Sequence, residues 1–156
     1  MKKYLLTILT SFAITQGIYS QTDKKQIADI EKVTKEIKNN IGKYKKTEEL
    51  KDSVGNSRYI YKDGNELKLV TIYFQDTDAN KNVEWYFTNG QLIYSQQTWT
   101  DKKTNKVVDN QKCYLSSGHL ITWVKNDKLV DTNSEEFKKV GVDLPVYGTK
   151  MFAETK

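Results

Sequence analysis

Cysteine, histidine and proline are almost absent from this chain, which has one of each in 156 residues. One cysteine cannot form a disulfide within the chain, so a disulfide-stapled fold is excluded. One cysteine and one histidine also cannot supply the ligands of a His/Cys metal site. We therefore expect no metal and no cofactor. The one proline, Pro145, lies outside every strand predicted below, which favours uninterrupted β-ladders.

Motifs for phosphate binding and acyl transfer are also missing. The sequence has no glycine-rich phosphate loop and no Gly-x-Ser-x-Gly elbow. Hydrophobic residues make up only 37% of the chain, but aromatic residues reach 12% and bury a large area each. A chain of 156 residues is long enough for one well-packed domain and too short for two.

The first twenty residues have the pattern of a secretory signal peptide. Met1-Lys2-Lys3 is followed by an uncharged apolar run over residues 4–14 and a polar stretch that ends at Ser20. We expect cleavage between Ser20 and Gln21, with a cut after Gly17 as the alternative. The run is shorter than the ~20 residues of a membrane span, so we expect no transmembrane segment after cleavage. A buried N-terminal helix of a cytoplasmic protein is the other interpretation.

Export places the protein in the periplasm or outside the cell. Removal of Lys2 and Lys3 lowers the formal charge from +5 to +3. A mild excess of this size is far below the strong basic patch of a nucleic-acid-binding protein. We therefore expect no nucleic-acid partner.

A single amphipathic helix is predicted over residues 23–45. Its apolar positions recur every three or four residues, on one face of a helix: Ile27, Ile30, Val33, Ile37, Ile41 and Tyr44. Asp23 and Gln26 have the spacing of a capping box. Lysines line much of the remaining surface, which predicts a solvated face or, alternatively, an envelope-binding face.

Three turn signals predict hairpins over residues 56–130. They are Asp63-Gly64, Asn89-Gly90 and Ser117-Gly118, each between runs of aromatic and β-branched residues. The second and third hairpins align at an offset of 28 residues, and the first matches the second at an offset of 26 with one extra residue before Leu67. Three copies of one unit predict a six-stranded antiparallel meander.

The C-terminal region predicts a short helix over residues 134–141, capped by Ser134 and closed by Gly141. Residues 142–156 carry no readable structure. The predicted fold class is therefore α+β. One long N-terminal helix packs on a curved antiparallel meander of about six strands, in a single domain over residues 21–156.

The hairpin motif resembles a group of uncharacterised exported bacterial proteins. These have an N-terminal amphipathic helix followed by repeated Tyr-Phe-x-Asn-Gly-x-Leu-Ile hairpins. The resemblance covers residues 37–46, 59–69, 85–94 and 114–123 of this chain. The motif contains turn and core residues and no reactive group, so the resemblance implies a fold and export but no activity.

Three sets of residues invite a chemical interpretation. Cys113 and His119 would form a nucleophile–base pair only if they met, and strand geometry separates them by several residues. Residues 76–82 begin like a calcium loop, but Lys81 and Phe87 stand where an EF-hand needs glycine and glutamate. Glu66 and Glu84 are the acids within or beside strands, and two converging carboxylates are what a glycosidase would need. We expect no catalytic residue and no metal ligand among them.

An aromatic sheet face is the remaining functional candidate. Alternation from Asn89-Gly90 places Trp85, Phe87, Leu92 and Tyr94 on the face under the helix. The opposite face then carries the predicted ligand- or partner-binding residues: Tyr86, Trp99, Tyr114 and Trp123. Alternatively, residues 144–152 fold over this second face or the sheet curls to bury it.

The predicted function is that of an exported, non-enzymatic binding protein whose ligand is an unknown protein, peptide or glycan. Two alternatives stay open. One is a hydrolase with an acid/base site built from separated carboxylates, and the other is an envelope-associated structural protein.

Overall fold

The computed structural model describes residues 21–51 and 54–155, so the predicted signal peptide lies outside the described residues. Its eight strands pair only with their neighbours in the chain, in the order β1 to β8, as an antiparallel meander. Two helices flank them. Helix α1 spans Gln21–Asn40 and helix α2 spans Glu135–Glu154. The strands are β1 Lys45–Lys51, β2 Ser57–Asp63, β3 Glu66–Gln75, β4 Ala79–Thr88, β5 Gln91–Asp101, β6 Val107–Ser116, β7 His119–Lys125 and β8 Lys128–Leu129.

The α+β class is confirmed, with more elements than predicted. The three predicted hairpins are β2–β3, β4–β5 and β6–β7. The count of six strands is wrong because β1 and β8 flank them. Strand β1 has the sequence KKTEELK, which lacks an alternation of apolar and polar residues, and β8 has only two residues. Neither strand carries a pattern that periodicity could detect.

Helix α1 ends earlier than predicted. It stops at Asn40, a 3-10 turn follows over Ile41–Lys43, and β1 begins at Lys45. Asparagine and glycine at residues 39–42 are weak helix formers, which explains the early end. The predicted buried stripe is confirmed as far as Ile37, whereas Ile41 is exposed. Asp23 lies in the first helical turn and not at the cap.

Each predicted hairpin carries a β-bulge directly after its turn. Tyr86 pairs with Tyr94 while Phe87 pairs with Leu92, so Ile93 is an extra residue. Lys68 and Ile121 are the corresponding extra residues of the other two hairpins. The first turn consists of Gly64 and Asn65, since Asp63 pairs with Glu66. The predicted Asp63-Gly64 turn is therefore wrong by one residue.

These bulges overturn the predicted assignment of the two sheet faces. An extra residue shifts every following side chain to the other face of the sheet. Tyr94 therefore shares a face with Tyr86, and Trp123 shares a face with Phe87. Helix α1 covers the tyrosine face, where Tyr86, Tyr94 and Tyr114 pack against Ile30 and Ile37, so the face predicted to lie outward is the one under the helix.

Helix α2 replaces both the predicted short helix and the unassigned tail. The Ser134 cap is confirmed, because its hydroxyl accepts a hydrogen bond from Phe137 N at 3.1 Å. The helix continues through Pro145 for 20 residues. Phe137, Leu144 and Met151 are buried against the second sheet face, and this packing offsets the backbone hydrogen bond that Pro145 cannot make. Residues 144–152 do cover a sheet face, but it is the face of Phe87 and Trp123 and not the predicted face of Tyr86 and Tyr114.

The sheet is thus covered by one helix on each face. The α2 side has a core that includes Val70, Phe87, Cys113, Leu115 and Trp123. Glycines let α2 lie very close to the sheet, since a Cβ added at Gly148 would approach Leu92 Cβ to 2.7 Å. Within the described residues, neither helix combines the length and the apolar character required to cross a membrane.

Candidate functional site

The four predicted binding residues do not share one surface. Tyr86 and Tyr114 are buried beneath α1, and Trp123 is buried in the core beneath α2. Only Trp99 is partly exposed to solvent. The expectation that the other three face outward is wrong for two reasons: α1 covers the face of Tyr86 and Tyr114, and the bulge at Ile121 turns Trp123 to the face under α2.

Trp99 belongs to a row of side chains at the end of the sheet remote from the three hairpin turns. Phe74 pairs with Lys81, Lys81 pairs with Trp99, and Trp99 pairs with Asp109. We call these four residues the distal row. With strands ~4.8 Å apart, the row extends about 14 Å across β3 to β6. Strand alternation places it on the same face as α2, but it belongs to neither hydrophobic core.

Lys81 lies between two aromatic side chains of this row. Its Nζ is 5.0 Å from the centre of the Trp99 ring and 5.9 Å from the centre of the Phe74 ring. Both distances allow a cation–π attraction. Burial lowers the pKa of Lys81, and the charge of Asp109 opposes that shift. Among the residues that the structure describes, no carboxylate forms a salt bridge with this ammonium group.

Asp109 is held by neutral amides at the other end of the row. Its Oδ2 accepts from Gln111 Nε2 at 2.7 Å, and its Oδ1 accepts from Asn126 Nδ2 at 2.9 Å. Both carboxylate oxygens are therefore engaged without a cation in contact. The row carries one fixed anion with amide partners and one cation without an ion-pair partner.

The adjacent row toward the core supplies further polar groups. Val83, Gln97, Gln111 and Lys125 pair in that order across β4 to β7. Lys125 forms a salt bridge with Glu136 of α2 at 3.2 Å. The side-chain amide of Gln97 makes no hydrogen bond to another residue within 21–51 and 54–155, so its donor and acceptor remain available.

On the tyrosine face, the phenols of Tyr86 and Tyr114 are hydrogen-bonded within the protein. Tyr86 donates to Glu84 at 2.7 Å, and Lys38 of α1 forms a salt bridge with the same carboxylate at 3.0 Å. Tyr114 donates to Glu31 of α1 at 2.9 Å. Burial raises the pKa of Tyr86 and of Tyr94, so these phenols stay neutral. This arrangement attaches α1 to the sheet and already engages both phenols.

The remaining candidate pairs are not assembled for chemistry. Cys113 is buried, which raises the pKa of its thiol to about 12, whereas His119 is exposed beside a turn. Thr71 pairs with Glu84, and Glu66 lies five residues earlier in β3, so these two acids are about 17 Å apart along the sheet. The two catalytic carboxyl groups of a glycosidase are about 5–9.5 Å apart, so Glu66 and Glu84 are too far from each other for that chemistry.

In the loop that resembles a calcium site, a lysine ammonium group lies against the backbone. Lys102 Nζ donates to the backbone carbonyl of Asp76, and the Asp76 carboxylate accepts from Thr77 N at 2.7 Å. Over the described part of the chain, no cluster of three His, Cys, Asp or Glu side chains could hold a metal ion.

A depression of about 360 Å³ lies at the opposite end of the sheet. It is lined by Lys62, Asn65, Leu67, Phe152 and Thr155. Lys62 already donates to the backbone carbonyl of Thr155 at the end of α2, so its charge stabilises the helix terminus. The distal row is therefore the stronger candidate.

Sequence reasoning found Trp99 but missed its neighbours Phe74, Lys81 and Asp109. The turn between β3 and β4 is only three residues long, and β4 starts at Ala79 and not after Lys81. The interpretation of residues 76–82 as a loop leaves Lys81 outside the predicted strands. Their position beside Trp99 follows from the register of β3 to β6.

No known protein family, curated protein sequence or solved structure matches this chain. The functional argument accordingly comes from the geometry of the distal row.

Proposed function

We propose that this chain is an exported, non-enzymatic binding protein whose contact surface is the distal row. The observation that carries the proposal is a pair of accessible aromatic side chains around a cation that has no salt bridge among the described residues. Phe74 is 38% exposed and Trp99 is partly exposed, outside both cores, with Lys81 between them. Aromatic side chains supply large contact areas and are frequent energetic anchors of binding sites.

The position of the row supports a preorganised site. Its residues lie on β3 to β6, which are interior strands with neighbours on both sides. A side chain on a hydrogen-bonded interior strand loses little backbone entropy when a ligand binds. Sites on strands are also more precise than sites on loops.

Interior strands further determine how a ligand would be recognised. Their backbone groups are used in the β-ladders on both sides, so a peptide cannot add to them as another strand. Recognition would go through side chains: the rings, Lys81, and the amides of Gln97 and Gln111.

Export is the part of the proposal that depends on residues 1–20. It is supported by their basic start, short apolar run and small residue at the end. N-terminal sequencing of protein recovered from the periplasm or the medium should begin at or near Gln21. Intact Met1 on protein found only in the cytoplasm would contradict export.

The two alternatives lack comparable support. A hydrolase would need converging carboxylates, and Glu66 and Glu84 have separate partners in Lys68 and Lys38. An envelope-associated role would use the lysines of α1, whose exposed face also carries Glu31 and Glu36. A salt-sensitive association of the protein with anionic vesicles would favour that role over the distal row.

The binding proposal is tested by substitution of Trp99. We expect Trp99→Ala to abolish capture of a ligand from arrayed glycans and peptides while the thermal midpoint stays within a few degrees of the original. Tyr147→Ala is the matched control, because Tyr147 is also an exposed aromatic residue but lies on α2. Equal binding by the Trp99 and Tyr147 variants would contradict the proposal.

A further inference from the structure

We propose that the ligand of the distal row is an acidic saccharide, with its acid group at Lys81 and a sugar ring against Trp99. This inference rests on the proposed function and specifies the chemistry of its ligand. It is carried by the position of Lys81 between two rings, by the absence of a salt bridge to it among the described residues, and by the free amide of Gln97.

The acid group follows from charge complementarity. Asp109 has both oxygens occupied by amide donors, at 2.7 and 2.9 Å, whereas the described residues give the Lys81 ammonium two aromatic contacts and no salt bridge, with Asp109 acting on it through its charge from outside salt-bridge distance. Of the two charged groups in the row, Lys81 is therefore the one that an oppositely charged ligand group could still contact. A partly buried ammonium gains more from a carboxylate or sulfate than an exposed lysine does, because water screens the pair less. An anion bound there would also raise the lowered pKa of Lys81.

The sugar follows from the other groups of the surface. Trp99 is partly exposed on a broad sheet face that also presents side-chain amides in the next row, at Gln97 and Gln111. An amide offers a donor and an acceptor side by side, as vicinal hydroxyl groups require. The apolar face of a sugar ring can cover an aromatic ring while its hydroxyls reach such groups.

Two other ligand classes fit less well. An extended peptide would find no free strand edge on β3 to β6. A nucleic acid would need several phosphate contacts, and the only lysine of the distal row is accompanied by Asp109. An acidic saccharide, which would bind through one acid group and the neighbouring hydroxyls, matches the side chains that this surface presents.

The test compares acidic and neutralised forms of the same probe. Oligogalacturonate and chondroitin sulfate fragments are titrated against the mature protein. The neutral counterpart of oligogalacturonate is its carboxyl-reduced form, and that of chondroitin sulfate is its desulfated, carboxyl-reduced form. Loss of one charge-assisted hydrogen bond corresponds to a weakening of about 10- to 100-fold. We expect Lys81→Gln to weaken binding of at least one acidic probe by that factor and Lys81→Arg to retain it.

Lys125→Gln is the matched control. Lys125 lies on the same face one row away, but its charge is already paired with Glu136 at 3.2 Å. We expect this variant to change affinity by less than about twofold. Thermal unfolding of each variant is measured in parallel, and Lys81→Gln should unfold close to the original because Lys81 has no ion-pair partner to lose among the described residues.

The outcomes separate this inference from the proposed function. If the acidic and neutralised probes bind equally and Trp99→Ala weakens both, the surface binds saccharides and the acid requirement is wrong. If no saccharide binds but a peptide binds in a manner dependent on Trp99, the ligand class is wrong. If Trp99→Ala changes no interaction, the proposed function itself is wrong.

Discussion

Strands β4 to β6 are buried at one end and partly exposed to solvent at the other. Near the hairpin turns, β4 to β6 carry Phe87, Tyr86 and Leu115, which are buried between the two helices. Toward the other end, the same strands carry Lys81, Trp99 and Asp109, which lie outside both cores. Strand length produces the difference, since these strands have 10 or 11 residues and both helical cores are centred on the half nearest the hairpin turns. The covered end holds the buried core, and the other end is partly open to solvent.

The largest expected effect is the contrast between two aromatic truncations, one at the buried end of the strands and one in the distal row. Phe87 is 0% exposed, so Phe87→Ala should lower the free energy of unfolding by about 3–5 kcal/mol through lost burial and a cavity. Trp99→Ala should change it by less than about 1 kcal/mol. Urea titration of both variants measures the contrast. Equal destabilisation would show that Trp99 is part of the core.

An intermediate effect is expected from two glycines of α2. Gly148→Ala would place a Cβ 2.7 Å from Leu92 Cβ, so we expect a loss of about 1–3 kcal/mol. At Gly141 the nearest atom, Leu120 Cβ, is 3.7 Å from the added Cβ. Gly141→Ala should therefore be neutral or stabilising by up to about 1 kcal/mol, because alanine favours the helix. Destabilisation by both substitutions would indicate that α2 lies differently on the sheet.

A third effect concerns pH, and over the single unit from pH 9 to 10 it stays below about 1.4 kcal/mol. Burial raises the pKa of the Cys113 thiol to about 12, above its ordinary value of 9. The folded state therefore holds a proton that the unfolded state releases, and stability falls as pH rises from about 9 toward 12, by up to about 1.4 kcal/mol per pH unit. Cys113→Ala should flatten this slope by up to one proton in urea titrations at pH 9–11. An unchanged slope would contradict the burial of Cys113, whereas a residual slope reflects Tyr86 and Tyr94, whose pKa values are also raised.

The sequence predicted local structure well where a residue pattern is continuous. Spacing of Ile30 and Ile37 identifies the buried face of α1, and the Asn89-Gly90 turn identifies the central hairpin, since both signals depend on neighbouring residues. The bulges at Lys68, Ile93 and Ile121 could not be predicted in this way. A bulge leaves the composition of a strand unchanged and still reverses the faces beyond it.

Local sequence patterns also could not predict the full length of α2. Gly141 and Pro145 both indicate a helix end, and tertiary packing of Leu144 and Met151 on the sheet overrides them. For the candidate site, Trp99 is predicted from its aromatic character and from strand alternation counted from Asn89-Gly90. Its partners Phe74 and Lys81 emerge only from the register of β3, β4 and β5.

Tryptophan fluorescence tests most directly whether the distal row is an accessible binding surface. The chain has three tryptophans, of which Trp123 is 2% exposed and Trp85 packs against the α2 core. Acrylamide should quench a component that is missing in Trp99→Phe, and a saturating acidic oligosaccharide should protect that component. Quenching that is the same in Trp99→Phe and in the original protein, with or without the saccharide, would contradict the account.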